Sequence, residues 1–408
     1  MGIRTLVAMA ILLQIPALAA EKVTVTQLEN VVALCQGKAD KDAARKIDTL
    51  TLSERISRER YKKLDAELPG QRSRAALLVL ADAAAFLDLP ASGLPVVAPP
   101  SIDKQRKIVI SAVNFASETT HKMPDFFATR DTTQFQSTRP ARKIMVLPAP
   151  TRTVGRTELE RTEPFRQVGE SRVTVHYRDG KEVVEKQPGK EVSPEFGVTS
   201  RGEFGELLPS ATSDLAQSKI AWSHWEQGET GLLAVFQFDV PKDKAHYQWT
   251  YCCVLASDGK PQPVSEREAY HGEIAINPKT GVVFRLKVKT EPSEPILEAS
   301  EVVEFGPVEL GGRTYILPVR NIVLYTARRY DAKMPVDLSE SEDQASPDSL
   351  GSGLHFEFLR PVSTAINHTE FENYHLFRAD VRIVPGEPEE IPDTKPAPNL
   401  KPDSQAQP

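Results

Sequence analysis

Cysteine is scarce in this chain. Only Cys35, Cys252 and Cys253 occur in 408 residues. They have no C-x-x-C spacing and no Cys/His cluster, which argues against a zinc site or a thioredoxin-like redox site. Excess positive charge is also missing. Fifty Lys and Arg stand against 56 Asp and Glu, a net charge of −6. Nucleic-acid phosphates require a basic surface, so no nucleic-acid partner is expected. The chain contains no G-x-S-x-G elbow, no P-loop, no H-E-x-x-H and no dinucleotide fingerprint. Past the first twenty residues no stretch approaches 18 consecutive apolar residues, so no transmembrane anchor is expected.

Histidines are few and dispersed: His121, His176, His224, His246, His271, His355, His368 and His375. His246 and His271 fall in neighbouring strand-like segments and could approach each other, although hydrogen-bonded strand histidines are the simpler reading. The acids Asp337, Glu340, Glu342 and Asp343 lack the order of a calcium loop and read as a solvated segment. Trp222, His224 and Trp225 stand before Gly228, where aromatics can line a binding mouth or pack a sheet edge. No carboxylate pair stands out for glycoside chemistry. The sequence thus names no catalytic residue, no metal ligand and no cofactor.

What is present begins at the N-terminus. Arg4 precedes an apolar run from Leu6 to Ile15. Pro16 breaks it, and Ala17-Leu18-Ala19 and Leu18-Ala19-Ala20 both offer small residues for cleavage. This is the pattern of a secretory signal peptide over residues 1–20. No cysteine stands at the cleavage point, so a lipid anchor is not expected. The mature chain is expected to be soluble, in the periplasm or outside the cell. An oxidising compartment permits disulfides. Three arrangements stay open: Cys35 bonded to one of the neighbouring pair, a strained bond within that pair, or three buried thiols.

Residues 21–89 read as a small helical domain. Leu28, Val31, Val32 and Cys35 make one apolar face. Asp40 is placed to cap the next helix, and Thr51 or Ser53 to start a third. The segment 74–87, RAALLVLADAAAFL, is apolar nearly all round and demands burial on several sides. Residues 90–102 form a Pro-rich linker. Residues 103–384 are predicted to form one antiparallel domain, with an acidic insertion at 339–352. Residues 385–408 are a Pro-rich tail whose composition cannot bury enough apolar surface to order itself.

Within 103–384 a helix is expected at 103–121, and a shorter one over 202–218 interrupted at Pro209. Hairpins are expected at 171–186 around Asp179-Gly180 and at 269–291 around Asn277-Pro278-Lys279-Thr280-Gly281. Strands are expected at 126–136, 231–240 and 246–255, and two or three around Gly311-Gly312. Residues 355–360 and 369–384 close the sheet. The fold class is therefore α+β: a small helical domain, then a large, curved antiparallel sheet (a half-barrel) packed on a helix. Alternation predicts that Phe236, Phe238, Tyr247, Trp249, Ile274, Ile276, Phe284, Leu286, Tyr315 and Leu317 line a cavity there. A one-residue slip would turn any of these sets to the other face.

The segments LTLSERISRERYKKL (50–64), LADAAAFLDLP (80–90), MPDFFATRDTTQF (123–135), YHGEIAINPKTGVVFRLKV (270–288) and VEFGPVELGGRTYILPV (303–319) resemble a family of large secreted proteins of acidobacterial type. The strand-rich part, with its hairpin at 270–288, also resembles the half-barrel of periplasmic lipoprotein carriers and the related envelope sensor. That resemblance implies a curved sheet wrapping a helix over an apolar cavity. The carriers are much shorter and lack both the helical domain and the acidic insertion. Their cavity arginine maps onto no single position here.

Two non-catalytic functions follow. In one, an exported protein binds a hydrophobic ligand, a lipidated protein or a polypeptide in the half-barrel. In the other, it is a structural or protein-interaction module of the cell envelope with a filled core. A hydrolase with scattered catalytic residues is the third alternative.

Overall fold

The computed structural model describes residues 21–139, 142–146, 164–184, 197–199, 203–204, 207–229, 231–255, 261–290, 292, 296–328, 355–359 and 362–377. The signal-peptide pattern, the acidic insertion and the Pro-rich tail lie outside them. The chain divides into one unit ending at Leu376 and a second beginning at Phe377. Every element below belongs to the first.

The N-terminal part is helical. Strands β1 (Glu21–Val23) and β2 (Leu50–Leu52) form a short parallel pair beside helices α1 (Val25–Ala33), α2 (Asp40–Ile47), α3 (Arg58–Glu67) and α4 (Gln71–Ala83). Thr24 and Gln27 form a reciprocal capping box on α1, satisfying two amides that the first turn leaves without partners. Ser57, rather than Thr51 or Ser53, caps α3. Asp40 does not cap its own helix. Its carboxylate reaches across to the start of α4, accepting from the Ser73 amide at 2.9 Å and the Arg72 amide at 3.0 Å. Leu28, Ile47, Leu64, Leu77 and Leu80 fill the core of this layer.

Helix α4 is buried on two sides, as its composition requires. Leu77, Leu80 and Ala81 face the helical core. Leu78, Val79, Ala83 and Phe86, at its end, pack on Phe135, Ile322 and Ile366 of the sheet. Helical layer and sheet therefore share an apolar seam.

The rest is built on helix α5 (Ile102–Lys122) and the strands β3 (Phe126–Arg139), β4 (Arg142–Val146), β5 (Arg166–Arg178), β6 (Lys181–Val184) and β7 (Gly197–Thr199). Helix α6 (Leu207–Leu215) follows, then β8 (Lys219–Gly228), β9 (Gly231–Val240), β10 (Trp249–Leu255), β11 (Pro261–Glu266), β12 (Tyr270–Ile276) and β13 (Val283–Thr290). The last strands are β14 (Ile296–Leu310), β15 (Arg313–Arg328), β16 (His355–Leu359) and β17 (Val362–Leu376). Pro209 does not interrupt α6. It sits in the first turn, where its missing N–H would have no intrahelical partner.

Ten strands make one open, half-barrel sheet in the order β6-β5-β3-β17-β15-β14-β13-β12-β9-β8, antiparallel throughout. The two predicted turns that need left-handed backbone are present. Asp179 and Gly180 have φ of 51° and 78°, and Gly311 and Gly312 have 57° and 79°. Two expectations are corrected. Strand β10 is not part of the large sheet but pairs with β7 and β11 in a three-stranded one. Strand β16 pairs with β4, so only β17 completes the large sheet on the C-terminal side.

Helices α5 and α6 lie on one face of the sheet. Ile108 and Ala112 of α5 and Leu207, Ala211 and Leu215 of α6 meet Phe236, Phe238, Ile274, Ile276, Leu286 and Val303 in the main core. The helical layer lies on the opposite face, through α4.

Candidate functional site: a charged cleft on the outer face of the sheet

The structure scatters the ten residues expected to line an apolar cavity. Phe236, Phe238, Tyr247, Trp249, Ile274, Ile276 and Leu286 are buried in the core beneath α5 and α6. Tyr315 and Leu317 pack in a separate cluster with Phe126, Tyr177 and Phe204. Phe284 faces the other way, against Leu233, Val235 and Ala275. A bulge between Ala275 and Ile276 shifts its strand pairing by one residue, which reverses the side chain. On the helix-covered face, the cavity touching Leu317, Phe305 and Ala116 holds only about 20 Å³. That is close to the space one water requires.

The larger opening, about 570 Å³, lies on the opposite face. Its floor is two cross-strand rows. Lys219, Asp239, His271, Lys289 and Ser300 are successive partners across β8, β9, β12, β13 and β14. Ala221, Gln237, Glu273 and Lys287 form the next row. Phe86 and Asp88, just beyond α4, make the wall. The strand alternation that buries Ile274 and Leu286 under α5 turns these polar residues outward. On the core face the Phe238 ring packs over Gly272, its cross-strand partner. A Cβ at that glycine would lie 1.8 Å from the Lys287 carbonyl oxygen, so the backbone there tolerates no side chain.

The cleft carries both signs of charge. Lys287 pairs with Glu273 at 2.7 Å, and Lys289 with Glu298 at 2.6 Å. Burial works against the charged form of Glu273, but Lys287, Arg285 and Arg55 outweigh it and hold the carboxyl below its usual range. Lys287 Nζ also lies 3.5 Å from the Phe86 carbonyl oxygen, tying floor to wall.

Two ion clusters pin that wall. In the first, Arg285 makes two bonds of 2.6 Å to Glu226, which also accepts from Arg55 at 2.8 Å. Arg55 comes from the helical layer, and its amide donates to the Asp88 carbonyl at 2.8 Å. Burial raises the Glu226 carboxyl, yet the nearby His224 ring, 3.7 Å away, the two hydrogen bonds from Arg285 and the charges of both arginines drive it far below the carboxylate range. In the second cluster, Asp82 of α4 binds Arg320 and accepts from His368 Nδ1 at 2.8 Å, while His368 Nε2 lies 3.5 Å from Glu370. Burial disfavours the imidazolium, but Asp82 and then Glu370 overcome it and push His368 up to about 9.

A third polar centre lies on the helix-covered face. Asp214 of α6 has no exposed surface. It accepts from the Tyr270 hydroxyl at 2.6 Å and the His246 amide at 2.8 Å, and pairs with His246 Nδ1 at 2.5 Å. Burial first, then Asp214, raises the Tyr270 hydroxyl well above its ordinary value. His246 precedes β10 outside the large sheet, and His271 opens into the cleft, so the two do not form a pair. Among the described residues no group of three His, Cys, Asp or Glu is placed to hold a metal ion.

Trp222, His224 and Trp225 are in strand β8 itself. Trp222 packs edge-on to Trp225 and Phe236, as a core-edge cluster. Cys35 is a buried free thiol and Cys252 is disulfide-bonded, which excludes a bond to Cys35 and excludes three free thiols.

The residues that organise the wall, Asp82, Glu226 and His368, do not stand out by motif. Asp82 carried one legible signal. It is the lone acid in an otherwise apolar helical segment, and a buried carboxylate requires a partner.

The chain matches no protein-family model, no curated protein and no solved structure. Fold and site define an α+β protein with an open ten-stranded sheet, filled on one face and cleft on the other. No helix among the described residues is long and apolar enough to cross a membrane.

Proposed function

We propose that this is an exported, non-catalytic interaction protein of the cell envelope, which binds polypeptide partners at the charged cleft. One observation carries the reading. The face that would hold a hydrophobic ligand is occupied by α5 and α6, and the sizeable opening lies on the other side, with ion-paired side chains along a floor of mixed character. A lipid chain gains from burying apolar area. Phe86, Ile220 and Ala221 offer it some, but Lys219, Asp239, His271 and Lys287 would lose hydration beneath it. A polypeptide, with alternating polar groups and side chains of either charge, fits such a floor better. The leader pattern of residues 1–20 supports export.

Native mass spectrometry of the mature protein from its own envelope tests this. The expected result is the mass of the chain alone, with no lipid in an organic extract. A lipid retained at fixed stoichiometry would overturn the reading and restore the carrier alternative.

A further inference from the structure

We infer that the partner binds by strand addition: an extended polypeptide segment pairs with the open edge of β8 over Lys219–Ser223 and sends alternate side chains into the cleft. This inference rests on the polypeptide-binding reading above.

Strand β8 ends the ten-stranded sheet, and among the described residues it pairs only with β9. Every second residue of such an edge directs its N–H and C=O away from the sheet. Another backbone matches that repeat, whereas lipids and sugars do not. The usable edge is short and has defined limits. A bulge between Trp222 and His224 interrupts the ladder. Beyond it, Trp225 Nε1 donates to the Ala98 carbonyl at 2.9 Å, so the linker lies against that part. Arg55 covers Glu226 on the other face. The stretch from Lys219 to Ser223 ends at the first of these obstructions and precedes the other two.

The same stretch borders the cleft, which Lys219, Ile220 and Ala221 help to line. An eleventh strand here would extend the rows Lys219-Asp239-His271-Lys289 and Ala221-Gln237-Glu273-Lys287 by one position each. Its side chains on that face would meet Lys219 and, one strand on, Asp239. The position over Lys219 suits an acid, and the position two residues along, over Ala221 and Gln237, suits a polar or small side chain. The opposite edge, β6, offers only four residues, Lys181–Val184.

The test uses the full mature chain and reduced, carboxymethylated α-lactalbumin, a permanently unfolded probe, read by hydrogen–deuterium exchange. Outward amides within 219–223 are expected to exchange at least tenfold more slowly with the probe, with β6 unchanged. Ile220→Pro and Ala221→Pro form the accompanying pair. Successive strand amides point to opposite sides, so one proline removes a bond to β9 and the other an outward donor. The variant that keeps the wild-type unfolding midpoint should bind the probe at least tenfold more weakly.

Wild-type binding by that variant overturns strand addition. So does protection that maps elsewhere, which leaves polypeptide binding at the cleft face standing. Protection that rises with the protein's own concentration and needs no probe makes a second copy the occupant and also overturns it. No binding of the probe overturns the inference and the reading beneath it together.

Discussion

Glu226 shows how much can depend on one side chain at the boundary between two layers. It accepts from Arg285 on the sheet and Arg55 in the helical layer, with little solvent to replace either. Removing one member of a buried ion cluster leaves the others uncompensated, at a cost of about 3–5 kcal/mol. Glu226→Gln should lower stability by about that much in urea unfolding. A loss under about 1 kcal/mol would mean that water reaches the arginines. His368 gives the opposite pH signature. Its value rises from 6.5 to about 9 on folding. Its contribution is therefore complete below pH 6.5 and disappears as pH rises through about 9. The urea midpoint of the wild type should fall across that window, and the fall should be absent in His368→Gln. Glu226 and Glu273, both held low, contribute above the ordinary carboxylate range and lose their contribution as pH falls below it.

At the scale of elements, the β12–β13 turn fixes how α5 sits on the sheet. Gly281 has φ of +77°, and a Cβ there would come within 2.4 Å of the Ser111 carbonyl oxygen of α5. Gly281→Ala should cost at least about 1–2 kcal/mol from backbone strain alone. It should also weaken the packing of Ile108 and Ala112, visible as faster amide exchange in α5. This turn, the Asp179-Gly180 turn and the two-sided α4 were legible in the sequence because each rests on local chemistry: glycine, proline, or an apolar run too wide for one contact. The errors arose where distant chain decides. Asp40 sits correctly for its own helix, yet its carboxylate serves α4. Strand β10 has the composition of a core strand but pairs with the three-residue β7. Phe284 follows strict alternation until an unseen bulge reverses it. The candidate cleft was not legible at all. Lys219, Asp239, His271 and Lys289 come from four strands, and only their register assembles the row.

At the scale of the whole molecule, the sheet is joined in the middle by its two ends. Strand β3, from early in the chain, pairs along its length with β17, near the end of the described residues. Thr132 and Thr369, 237 positions apart, meet at 2.9 Å across that ladder. Cutting the chain after residue 359 removes β17 and leaves β3, β5 and β6 without their link to β15. Such a truncation should fail to unfold as a single cooperative unit, and the helical layer should lose Asp82's partner His368 with it. A cooperative transition at the full-length midpoint would show that the two halves of the sheet are independent.

That pairing bears on timing. A ribosome delivers the chain from its N-terminus, and β3 then waits for its neighbour through more than two hundred residues of synthesis. Non-local ladders form slowly, because the intervening loop must close before any contact rewards it. The late arrival of β17 thus acts as a built-in delay, so the large sheet can lock only when nearly all of the described chain has been made.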